Sequence, residues 1–175
     1  MKLSSHWLGL TLAGSLMGTA CRDASSPTAV ESSNPESLAG AWRSQIRFSG
    51  GALAEMKDLD FMYVFNAGGT MTESSNYDAA PPGPPAYGVW RKTGPRQFEA
   101  KYMFYLANKA PETFEDIAKG GGWLPTGHGI LTERITLSED GKTYKSAMTF
   151  AAFDQAGKPA EGAGEGTGTG TRIDF

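Results

Sequence analysis

Cysteine is nearly absent: Cys21 is the only one in 175 residues. A single thiol excludes a disulfide framework and a thiol-rich metal site, and leaves no cysteine nucleophile beyond residue 21. Histidine is almost as scarce, with His6 near the start and His128 in the body. A transition-metal site around His128 would need carboxylate partners, and none stands at ligand spacing, so neither metal nor cofactor is expected. Excess positive charge is missing as well: 16 Lys and Arg against 19 Asp and Glu give a net charge of −3. Nucleic-acid binding needs a clustered basic surface and is not expected. No Ser-His-Asp arrangement, nucleophile elbow or phosphate loop occurs. Helical signals are confined to Pro111–Lys119, where Pro111 suits a first turn and Gly120-Gly121-Gly122 ends it. Glycine, by contrast, is abundant at 23 residues, pointing to turns and tight strands.

The first twenty residues carry a charged start (Lys2), an apolar stretch from Trp7 to Met17 and small residues up to Ala20. This is the build of a secretory signal, too short to span a bilayer as a mature helix. With Cys21 directly after Gly18-Thr19-Ala20, the segment resembles a bacterial lipoprotein signal. The resemblance implies that Cys21 is acylated and becomes the new N-terminus, anchoring the protein to the cell envelope. Arg22, where inner-membrane lipoproteins often carry Asp, leans towards the periplasmic face of the outer membrane. The alternative is ordinary cleavage after Ala20 and a secreted protein. Residues 21–37 (CRDASSPTAVESSNPES) have no hydrophobic period and read as a flexible tether. About 140 residues then remain, enough for one domain, 38–175.

Period-two patterning dominates that domain. Trp42, Ser44, Ile46 and Phe48 alternate with Arg43, Gln45 and Arg47, as in a strand with one buried face. Leu59, Phe61, Tyr63 and Phe65 repeat it and end at the turn Asn66-Ala67-Gly68-Gly69, from which Thr70–Ser74 returns. Four prolines between Asn76 and Ala86 forbid regular pairing there. Tyr87–Lys92 and Phe98–Leu106 follow, then Gly129–Ser138, a turn at Glu139-Asp140-Gly141, and Thr143–Phe153. The last segment, Gly162–Ile173, alternates glycine with larger residues. Its glycine face needs large neighbours such as Trp42 and Trp90 packed over it, or a sharp bend; the other reading is a disordered tail. About eight strands with short antiparallel connections and one short helix fit an all-β, up-and-down barrel, whose closure removes exposed edges.

On Gly40-Ala41-Trp42 at the start of the first strand and Arg172 near the end of the last, the chain resembles a lipocalin-like (calycin-type) barrel. The resemblance implies that Trp42 and Arg172 are structural, the arginine lying over the indole to close one end. The allene-oxide-cyclase type of barrel suits the same pattern.

Glu133 falls in step with Leu131, Ile135 and Leu137, which places it on the inward face unless a bulge shifts the register. A carboxyl inside a barrel is partnered or has a raised pKa. An eight-stranded interior is either filled or holds one small ligand. Tyr63, Trp90, Tyr102, Glu133 and Met148 are the candidate ligand-binding residues, and a small, mostly apolar molecule is the expected partner. Trp123, on a glycine-rich loop, reads as a lid, a membrane contact or part of the barrel rim. His128 between two glycines reads as a solvated loop residue. Two other functions stay open: a cyclase or isomerase with Glu133 or His128 as base, and a filled barrel that mediates contacts.

Overall fold

The computed structural model describes residues 35–78, 83–107, 113–115 and 125–174. The signal, Cys21, most of the tether, Trp123 and most of the Pro111–Lys119 helix lie outside the described residues; Phe114 and Glu115 are helical. Eight strands follow one another: β1 Gly40–Phe48, β2 Asp60–Phe65, β3 Thr70–Ser75, β4 Ala86–Gly94, β5 Gln97–Ala107, β6 Pro125–Leu137, β7 Thr143–Asp154 and β8 Pro159–Arg172. Each pairs antiparallel with the next, and β8 returns to β1 from Trp42 opposite Arg172 to Phe48 opposite Gly166. The result is a closed up-and-down barrel without a free edge.

Alternation in the sequence is what fixes the inside. On β1, Trp42, Ser44, Ile46 and Phe48 are buried while Arg43, Gln45 and Arg47 are exposed. The hairpins close where small residues permit unusual backbone. Gly69 sits at φ 85° and its N–H donates to the Asn66 carbonyl at 2.9 Å. Gly141 sits at φ 70°, beside Asp140, whose Oδ1 accepts from the Lys142 N–H at 3.0 Å.

The glycine-rich segment is a strand of full length, not a tail. Gly166, Gly168 and Gly170 face inward, while Thr167 and Thr169 face out. The side chains packed over the glycines are Phe48, Ile46 and Ser146, and the Tyr144 ring. Trp42 contributes by packing at a tilt against Tyr144, ring centres 5.1 Å apart. Trp90, expected to share this role, instead packs between Phe65 and Phe98 at 6.0 and 5.8 Å. β6 also begins earlier than the sequence pattern suggests. His128 therefore belongs to a strand, half-buried and stacked on Phe153 at 5.1 Å, rather than to a solvated loop.

Candidate functional site

The barrel has two unlike ends. At the first, β1 begins and β8 finishes. The Arg172 guanidinium lies 4.2 Å from the centre of the Trp42 ring. Its three nitrogens donate to the carbonyls of Gly141 at 2.9 Å, Ala39 at 2.8 Å and Ser37 at 2.7 Å. The Trp42 indole N–H donates to the Leu38 carbonyl at 2.9 Å. A planar fork satisfied on every arm seals this end.

The centre is packed. Tyr63 on β2, Tyr102 on β5 and Glu133 on β6 are each at most 1% exposed. Both hydroxyls donate to Glu133 Oε2, at 3.1 Å from Tyr63 and 3.3 Å from Tyr102, and they lie 3.1 Å from each other. Burial raises the Glu133 pKa, and the hydroxyls of Ser146, Tyr63 and Tyr102 oppose that rise. Burial, then the Glu133 charge, pushes both tyrosines well above their ordinary value. Glu133 Oε1 and the hydroxyls of Ser44, Tyr144 and Ser146 have no hydrogen bond of good geometry. Met148 is buried and stands opposite Glu133 on β7. Trp90 is half-buried towards the sealed end, its N–H donating to the Asn66 carbonyl at 2.9 Å. Of the five candidates, then, the fold joins Tyr63, Tyr102 and Glu133 in one bonded cluster, sets Met148 beside it and holds Trp90 apart.

None of the five lines the cavity at the opposite end. That cavity, about 120 Å³, lies where the β1–β2 and β3–β4 connections meet the barrel. Leu53 and Met56 cover it from the first connection, and Leu59, Phe61, Phe104 and Leu131 form its apolar wall. Glu73 on β3 also lines it, 5% exposed, with Oε1 lacking any hydrogen-bond partner. Tyr77 and Asp78 stand at its border. Tyr77 is tied to Asp58 by a 2.6 Å bond, and Asp78 accepts from the Ser75 N–H at 2.7 Å and hydroxyl at 3.0 Å. Burial first, then the charges of Asp78 and Glu133, pushes the Glu73 carboxyl up to about 9. A larger depression of about 400 Å³ runs over the outer wall, lined mostly by polar side chains such as Arg47, Thr132, Arg134 and Glu165. It lacks the enclosing apolar wall of a small-molecule site.

Glu73 was the residue that sequence patterning missed. The same in-step argument that places Glu133 inward applies to Met71 and Glu73. One apolar residue among Thr70, Thr72, Ser74 and Ser75 is too little to assign a face.

Among the described residues, no group of three His, Cys, Asp or Glu is placed to hold a metal ion. Fold and site together define a closed eight-stranded antiparallel barrel, plugged at one end and hollowed at the other. No family model matches the chain, and no curated protein does.

Proposed function

We propose that this chain is an exported barrel, anchored to the envelope by a lipid on Cys21, that binds one small, mostly apolar molecule at its open end. The observation that carries the binding reading is the cavity itself: an apolar wall with one unpartnered buried carboxyl. Wholly structural cavities tend to be apolar throughout, whereas a few aimed polar groups are the mark of a ligand site. At about 120 Å³ it suits a ligand of one ring or a short chain, since an apolar protein cavity of ~150 Å³ takes up benzene. Glu133, one of the two candidate bases of the enzyme alternative beside His128, is bonded to tyrosine hydroxyls and is not among the cavity's described lining residues.

The packed centre favours, as a second reading, a barrel that serves contacts alone. Outward Tyr87, Val89 and Tyr105, each at least 59% exposed, would then supply the contact face.

Thermal unfolding in the presence of short alcohols and single-ring compounds separates the two. Binding at the open end raises Tm in a concentration-dependent way. Met56→Trp, which fills the cavity from a loop, removes that rise. A Tm that no compound moves, in a protein that releases nothing small when denatured, overturns the binding reading.

A further inference from the structure

We infer that the open-end cavity takes a small primary amine, held as its ammonium against Glu73 with its hydrocarbon body on the apolar wall. The inference rests on the cavity reading above and adds the chemical class of the occupant.

Three observations carry it. The first is the carboxyl: Glu73 lines a cavity large enough for a ligand, and its Oε1 is buried without a partner. A buried polar atom left unpaired is costly, and a ligand that pairs with the carboxyl relieves it. The second is the sign of the surroundings. Asp78 borders the cavity from the β3–β4 connection. Glu133 acts on Glu73 from β6, and the Glu73 charge in turn helps raise the pKa of Tyr63 on β2, Tyr102 on β5 and Tyr144 on β7. Among the described residues, the rest of the cavity lining is apolar apart from Ser75 and Tyr77, and no Lys or Arg lines it. Lys57, in the same connection as Leu53 and Met56, donates to the Ala54 carbonyl and lines a different, outer depression. An anionic ligand would find no cation among these residues and would face Asp78, while an ammonium has Asp78 and, once its proton leaves, Glu73 to pair with. The third is aromatic: Phe61, Tyr77 and Phe104 line the same space, and a ring whose face turns to an ammonium attracts it.

The chemistry balances with one proton. Free Glu73 holds its proton through the neutral range because its pKa stands at about 9. The incoming R–NH₃⁺ takes the place of that proton, which leaves to solvent, and three N–H donors replace one O–H. No covalent bond is made. Because the proton must leave first, amine affinity rises with pH, close to tenfold per unit, so about 100-fold from pH 6 to pH 8. The amine stays charged throughout, with a pKa near ~10.4 like that of a lysine side chain.

The test is calorimetric titration of the full mature protein with n-pentylamine, 1-pentanol and pentanoic acid at pH 6, 7 and 8. The inference expects pentylamine to bind best at pH 8, to weaken about 100-fold by pH 6 and to release close to one proton per site, read from buffers of different ionisation enthalpy. Glu73→Gln is expected to abolish both slope and proton release while pentanol binding persists. Pentanol or pentanoic acid binding at pH 8 as well as or better than the amine overturns the amine assignment and leaves the cavity reading standing. Amine affinity flat or falling with pH does the same. Silence from all three compounds at every pH overturns both.

Discussion

Arg172 shows how much one side chain carries at the sealed end. Its pairing with Trp42 was expected only through the resemblance to lipocalin-like barrels carried by Gly40-Ala41-Trp42 and Arg172. The three carbonyls it bonds were not, since they belong to turns and to the segment before β1, where no periodicity speaks. Arg172→Ala removes three charge-assisted hydrogen bonds and a ring contact. A loss of about 3 kcal/mol or more in urea unfolding is expected, with Arg172→Lys recovering only part, because an ammonium lacks the fork. Glu73 sets a pH dependence whose sign follows from its raised pKa. Below the ordinary 4.5 both folded and unfolded chains keep the proton; between 4.5 and about 9 only the unfolded chain readily gives it up. Stability is therefore expected to be full at low pH and to fall as pH rises through that window. Glu133, also raised, adds to the same trend. Denaturant midpoints from pH 5 to pH 9 check this, and Glu73→Gln should flatten the curve appreciably.

At the scale of the element, β1, β2, β5 and β7 could be read from the chain because large apolar residues mark one face of each. β3 and β8 were read as strands too, but their inward faces were harder to assign, for opposite reasons. β3 has one apolar residue, so its inward Glu73 is disguised among polar neighbours. β8 has glycine where a core face should be, so its buried side is written in what is missing. The structure resolves the second case: Tyr144, Ile46 and Phe48 occupy the volume that β8 gives up. A Cβ on Gly170 would run into the Tyr144 ring, itself packed on Trp42. Gly170→Ala is expected to destabilise by about 1–3 kcal/mol through overpacking. Thr169→Ala, one residue away on the outer face, should cost well under that, and thermal unfolding of the pair makes the comparison.

For the whole molecule, closure was the decisive inference and it followed from strand count and short antiparallel connections alone. The position of the hollow did not follow. Aromatic residues in step suggested a ligand at the barrel's centre, yet the hydroxyls of Tyr63 and Tyr102 bond to Glu133 Oε2 there and all three side chains are buried. The cavity arises instead from where two connections fold back over the open end, which strand periodicity cannot reveal. Export rests on the N-terminal segment by itself. Cys21→Ser is expected to move the protein from the membrane fraction to the soluble one, checked by detergent phase partitioning; unchanged partitioning would remove the lipid anchor from the account.

The binding claim is tested most directly by amide chemical-shift mapping of the mature protein titrated with n-pentylamine at pH 8. Saturable shifts are expected at Leu53, Phe61, Glu73, Phe104 and Leu131, with Trp42 and Arg172 still. Shifts spread over the outer wall, or confined to the sealed end, would contradict a ligand site at the barrel's mouth.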